Sequence, residues 1–583
     1  MRVVEPVVAI ATVALMTLAA CEGGSGSSHP GETQSMGAGD PVGSGKDPDA
    51  EAPLTIPDGA REGGTLSVQT THVPPTFDPT QAYVTDSAIL SDLVTRSLTQ
   101  YVYRDGAMVL APDMATDLGR PNGDNTAWTF TLREGVRYED GSDVQAEDIA
   151  YAIKRSFAVK ELPGGPTYNQ KYFLDGNTYE GPFSDGDDYS GVVVNGNDIT
   201  IKMRRPFPDM DHYASFPAFT AIPEEMDDLA TYGEHPLATG PYKFADYEAG
   251  SSLSLVKNDQ WEAETDPGRI QMLDTWEFEF GQDSAKLENI IVNDSGAGQT
   301  TLTYDGVAPA TYRTMQATGG DRLVAGSLPC VYMWYLDMRK IREIEVRKAL
   351  GWAYPYKKAW RAAGELVGVT RQGGTSILPL GTAGRQDFDP LGNEGVETDP
   401  KRSRALLRRA GYEPGDYEIR WYFRSDDPAS VAVKDEVVKA LEAAGFNASP
   451  IASSSDTVQR DESDNNAPIN VVANSGWCSD LPTGGASFPA QWDGELVGQE
   501  GRLNPSMINE PALDDAQDRI QELSPEQAVA AWGEFDKKIM TEYYPAINIG
   551  YAGEATIHGS AVGGMEYDTL RGMPTFNQMF VTE

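Results

Sequence analysis

Histidine is scarce in this 583-residue chain, with five copies, at positions 29, 72, 212, 235 and 558. None stands in an HExxH or other paired-ligand spacing, so the sequence offers no zinc site. A catalytic cysteine or serine would need a base beside it, and neither a G-x-S-x-G elbow nor a phosphate-binding P-loop is present. Basic residues are also few: 46 Lys and Arg stand against 88 Asp and Glu, a formal net charge of -42. With no basic stripe to displace counterions, nucleic acid and anionic lipid surfaces are excluded as partners. The excess reads as a solvated acidic surface. Paired carboxylates of the glycosidase kind carry no signal, because acids are too abundant for their spacing to mean anything.

Long apolar runs are missing too. The N-terminal run "VVAIATVALMTLAA", Val7 to Ala20, rises about 21 Å as a helix, short of a hydrocarbon core of about 30 Å. With Arg2 before it, the run fits a signal-peptide core, residues 1–20. Its ending, Leu18-Ala19-Ala20-Cys21, resembles the lipobox of bacterial lipoproteins, which implies lipidation of Cys21. Residues 21–60 are rich in Gly, Ser, Asp and Pro and have little to bury, so they read as a flexible tether. Of three cysteines, Cys330 and Cys478 then remain. Two cysteines in an oxidising compartment most simply form a disulfide. The stretch "NSGWCSDLP", Asn474 to Pro482, leaves nucleophile and metal ligand as the other roles for Cys478.

The length allows about two to four domains. From Gly63 onward, helical and strand patterns alternate without a repeat. Trp128, Phe130 and Leu132 alternate as in a strand, Asp140-Gly141 marks a turn, and Ile149, Ile153 and Phe157 recur at helical spacing. Glu147 and Asp148 sit at the positive end of that helix. "TDPKRSRALLRRAGY" reads as a helix capped by Asp399, opened by Pro400 and stopped by Gly411. A strand over "EIRWYF", a helix carrying Val433, Val437, Val438 and Leu441, and a short strand over Pro468–Asn474 follow. This succession indicates an α/β domain, with the Trp477–Asp480 motif just beyond the strand end, where ligands tend to sit.

Taken together, several segments resemble the extracellular solute-binding proteins of family 5, which serve peptide ABC importers. "GGTLSVQTTHVPPTFDPTQAY" is similar to their opening strand and Asp-Pro loop. "LAPDMATDL" followed by "WTFTLREGVRYEDGSDVQAEDIAYAIKRSF" is similar to their most recognisable signature. "HPLATGPYKFADYEAGSSLSLVKNDQW", "EVRKALGWAY" and "DPKRSRALLRRAGY" continue the likeness toward the C-terminus. The resemblance implies an α/β fold of the periplasmic-binding-protein type II (cluster C), two lobes with an additional inserted domain. The implied division is domain I in pieces (61–97, 234–329, 546–583), domain II over 98–233 and domain III over 330–545, with a hinge between domains I and III. The implied function is capture of oligopeptides and delivery to an ABC permease by a monomeric, membrane-anchored lipoprotein. No enzyme activity, cofactor or metal is implied.

The same resemblance assigns site residues. "GWCSD" is similar to a segment whose aspartate pairs with the peptide's α-amino group, here Asp480. A buried ammonium needs such an acceptor-rich anion. Trp477 becomes a flat wall for a ligand side chain, Tyr304 and Asp305 part of a crossover segment near the ligand, and Tyr83 and Val84 part of a rim loop. Cys478 is paired with Cys330, which opens "CVYMWYLDM". Two departures stand out: "LPTGGASFP" where the family has an acidic-Pro pair, and Pro355 where it has aspartate. Both bear on pocket shape and ligand length. The competing functions are the same fold binding a nickel chelate, haem, sugar or signalling peptide, and a secreted hydrolase acting through acidic residues.

Overall fold

Three large apolar cores organise the computed structural model, which describes residues 45–582. Cys21 and the signal-peptide segment lie outside the described residues. Among these residues, no helix is long and apolar enough to cross a membrane.

Two short strands, β1 (Gly45–Lys46) and β2 (Ala60–Arg61), precede β3 (Thr65–Gln69). Leu66 and Val68 of β3 alternate inward and are fully buried, as strand periodicity requires. This strand lies second from one end of a five-stranded sheet, parallel to Thr275–Glu279 on one side and Thr301–Leu302 on the other. The core over this sheet defines lobe I.

Lobe II holds β4 (Thr99–Arg104) and β5 (Ala107–Pro112), joined by Asp105-Gly106. Both turn residues have positive φ, 50° and 86°, the geometry that a two-residue hairpin demands and that glycine accepts. The predicted alternation over Trp128 and Phe130 is found in the strand Ala127–Thr131, with both side chains buried. Helix α1 (Ala146–Arg155) opens with a capping box in which the Gln145 amide donates to Asp148 at 2.9 Å. Phe157 lies beyond the helix end but is buried in the same core.

Lobe III follows, where β6 (Leu323–Leu336) pairs antiparallel with β7 (Val471–Cys478) and, on its other side, with β8 (Ala546–Ile557). The helix predicted at Asp399 is present as Pro400–Arg409, with the Asp399 carboxylate accepting the amides of Lys401 and Arg402. Val437 and Leu441 of the next helix are fully buried in the third core, and Val433 and Val438 pack at its margin. The last strand corrects the expectation. It runs to Cys478 instead of ending at Asn474, because Ser475, Gly476, Trp477 and Cys478 stay in register with Met333, Tyr332, Val331 and Cys330. Cys330 and Cys478, directly opposite in that ladder, are joined as a disulfide. Strands β6 and β8 also tie two cores together. Leu323–Ser327 pairs with Gly553–Ile557 beside lobe I helices, and after a register shift Val331–Tyr335 pairs with Ala546–Tyr551 against the lobe III core.

The segment "LPTGGASFP" leads into helix α2 (Gly484–Gln491), and its Leu481 and Ala486 are buried in the lobe II core. Close approach explains the two glycines. A Cβ on Gly484 would lie 2.4 Å from Trp532, and one on Gly485 would lie 2.0 Å from Asp209 Oδ2. Asp209 is itself buried, and burial, with the like charge of Asp211 second, pushes its carboxyl up to about 7 against the pull of Lys46.

The expected tether, residues 21–60, is the second correction: from Gly45 onward it is fastened to the body. Strand β1 pairs in parallel with β5 at Val109 and Leu110, and the Asp47 amide donates to the Leu110 carbonyl at 2.8 Å. Lys46 Nζ lies 2.5 Å from Asp211, and Arg104 pairs with Asp47. Further on, β2 pairs with Phe580–Thr582. A segment poor in apolar residues can still be ordered when a strand edge supplies main-chain partners. Composition had missed that edge. The Asp47 amide should therefore exchange slowly in deuterated buffer, and Lys46→Ala should cost about 1–2 kcal/mol by leaving Asp211 unpaired; a freely exchanging Asp47 amide would contradict the strap.

The Asp209 carboxyl gives a pH prediction. Its folded-state pKa lies above its ordinary value, so the folded state is favoured at low pH and loses stability as pH rises from about 4 to about 7. Asp209→Asn should remove that slope, on the order of 1–4 kcal/mol, in denaturant titrations at pH 4 and pH 8. An equal gain at both pH values would show that Asp209 does not titrate in this window.

Candidate functional site

Asp480 follows β7 by two residues, where the ladder to β6 has ended and the Ser479 amide still donates to the Pro329 carbonyl at 2.8 Å. The disulfide one residue before Ser479 fixes that strand end. The carboxylate is half-buried and meets the other two lobes. Tyr168 of lobe II donates its hydroxyl to Asp480 Oδ2 at 2.9 Å. Tyr83, on the loop that leaves lobe I, brings its phenol near the same carboxylate, whose charge adds to the rise of its pKa.

Electrostatics at this junction are unusual for a carboxylate. Burial raises the Asp480 pKa, and the two phenols pull it back. Both phenols are pushed well up in turn, by burial first and by the Asp480 charge second. Each therefore stays a donor at ordinary pH. Among the described residues, no lysine or arginine pairs with Asp480. A carboxylate offers about four acceptor positions; the Tyr168 hydroxyl takes one, which leaves room for further donors. Aromatic rings wall the place. Tyr168 lies 5.1 Å from Tyr213 and 6.4 Å from Phe216, and Phe216 lies 6.1 Å from Tyr83.

The remaining sequence-predicted residues spread out. Trp477 lies half-buried against the lobe III core, and its indole Nε1 has no hydrogen-bond partner among the described residues. Val84 is 44% exposed and stands just before the short helix Thr85–Ser91, with no side-chain cap bond. Tyr304 is buried in the lobe I core, where its ring faces Phe576. Asp305 accepts the Thr70 hydroxyl at 2.5 Å and the Thr71 amide at 2.7 Å, tying off the end of β3. Neither Tyr304 nor Asp305 bonds to Asp480. Tyr168 was missed in the sequence, where "PGGPTYNQKYF" carries no periodic or motif signal. Among the described residues, no cluster of His, Cys, Asp and Glu is arranged to hold a metal.

Comparison with known proteins adds the following. The family model for bacterial extracellular solute-binding proteins, family 5, middle part, matches residues 109–495. The oligopeptide-binding protein OppA of Bacillus subtilis (strain 168) is 26% identical over 147 residues, 24% of this chain and 26% of that protein. The glutathione-binding protein GsiB of Salmonella typhimurium (strain LT2) is 24% identical over 369 residues, 59% of this chain and 61% of that protein. The alignments thus span about a quarter to three fifths of these relatives. In fold, the chain is similar to the solved clavulanic acid biosynthesis oligopeptide binding protein 2, with a TM-score of 0.80 and 24% identity, covering 93% of this chain and all of that one. The unliganded open form of the periplasmic murein tripeptide binding protein MppA gives 0.73 at 18% identity, covering 90% and 99%.

Proposed function

The chain belongs to the bacterial extracellular solute-binding proteins of family 5, and from that premise we propose that it captures oligopeptides by their free amino end and hands them to an ABC permease. The observation that carries this reading is the Asp480 carboxylate. It is half-buried, accepts the Tyr168 hydroxyl of lobe II, and pairs with no basic side chain among the described residues. A peptide ammonium supplies the missing positive charge and the N–H donors together. An N-blocked peptide supplies neither.

Main-chain affinity has a place to arise. β7 stands at the end of the sheet order β6 belongs to, so an extended peptide can add along its outer edge. Trp477, Tyr83 and Val84 would border that peptide, with Tyr304 and Asp305 supporting the first lobe behind it. We assign lobe I to residues 61–97, 234–329 and 546–583, lobe II to 98–233 and lobe III to 330–545. We place the hinge at Ser327–Val331 and Tyr551–Gly553, where the paired strands shift register between two cores. We also propose that the protein is a monomer without catalytic activity, exported by residues 1–20 and held to the outer face of the cell membrane through lipidated Cys21. The likeness to GsiB favours a second reading, a short peptide of the glutathione type, whose free amine would use the same carboxylate.

Asp480→Ala should weaken a free-amine peptide by at least ~30-fold, the lower end expected for breaking a desolvated charge pair. The N-acetylated form of that peptide should change little. Titration calorimetry with both forms reads the difference, and equal losses would take Asp480 out of the role proposed here.

A further inference from the structure

The loop that carries Tyr83 is seated on lobe II by a fully buried guanidinium. Arg155, the last residue of α1, is 0% exposed. Its Nη1 donates to Asp78 Oδ1 at 2.7 Å and to the Thr80 hydroxyl at 2.6 Å. Its Nη2 donates to Asp78 Oδ2 at 2.8 Å and to Asp227 Oδ1 at 3.0 Å, and Nε donates to Asp227 Oδ2 at 2.8 Å. Arginine has five N–H donors in a fixed fork, and here each has an acceptor. Lysine could not reproduce this fan.

The acceptors set the path of the loop. Asp78 Oδ1 also takes the Thr80 amide at 2.9 Å, and the Asp78 carbonyl takes the amides of Gln81 and Ala82. One residue on, Tyr83 sets its ring 6.1 Å from Phe216, in the wall that includes Tyr168 beside Asp480. Lobe II grips the same turn elsewhere: Gln81 donates to the Pro163 carbonyl at 2.8 Å, and a Cβ on Gly165 would lie 2.3 Å from the Thr80 carbonyl.

We propose that Arg155 is a positioning residue for the amine subsite, acting through Asp78 and Thr80 to hold the Tyr83 phenol in the ring wall beside Asp480. The proposal rests on the function stated above and adds a residue that itself touches neither Asp480 nor ligand. Arg155 thereby couples α1 of lobe II to a loop of lobe I, and both to a carboxylate of lobe III.

The test uses the full chain with tetra-alanine and N-acetyl-tetra-alanine as probes, measured by calorimetry. Arg155→Lys should raise the Kd for tetra-alanine about tenfold and that for the acetylated probe less than about twofold. In an Asp480→Asn background, the same substitution should change tetra-alanine binding less than about twofold, because the group it serves has lost its charge. Thr80→Val, which removes one acceptor and leaves both charges paired, should show the same pattern at about threefold and stands in if Arg155→Lys fails to fold. Equal losses for both probes, or penalties that add to those of Asp480→Asn, would overturn the positioning role. Wild-type protein that binds neither probe would instead overturn the oligopeptide reading beneath it.

Discussion

One carboxylate stands where the three lobes approach one another. Asp480 leaves lobe III at the end of β7 and takes a hydroxyl from Tyr168 of lobe II, with Tyr83 of the lobe I loop close by. A partly desolvated charge of this kind is unfavourable unless its acceptors are filled. Around it stand the disulfide at the strand end, the Arg155 fan under the Tyr83 loop, and the aromatic ring wall beside Tyr168. The same desolvation that burdens the free carboxylate strengthens its attraction for an ammonium.

Around this point the lobes are linked by main chain as well as side chain. Strands β6 and β8 run through two cores with a register shift between them, the place proposed above as the hinge. The segment "LPTGG" contributes differently. Its glycines let α2 lie against Trp532 and Asp209, so lobe III reaches the lobe II core through Leu481 and Ala486. The strap that starts at Gly45 places Lys46 on Asp211, beside the Asp209 carboxyl that meets that same segment.

What could be read in the sequence were features with local causes. The Asp399 cap, the Trp128–Phe130 alternation and the α/β succession follow from neighbours within a few residues, and each is found. The family order fixed the fold class, and it paired Cys330 with Cys478 across 148 residues. Interactions between distant segments left no local trace. Tyr168 meets Asp480 across 312 residues, and Asp78 meets Arg155 across 77. The end of β7 and the start of the strap were misjudged for the same reason. Both are ordered by partner strands, β6 and β5, instead of by their own composition.

Native mass spectrometry of the purified protein, with sequencing of whatever it carries, tests the central claim most directly. The account predicts co-purifying peptides of mixed sequence with free amino ends, released when Asp480 is replaced by alanine. Repeated recovery of a non-peptide solute, or of N-blocked peptides that Asp480→Ala retains, would contradict it.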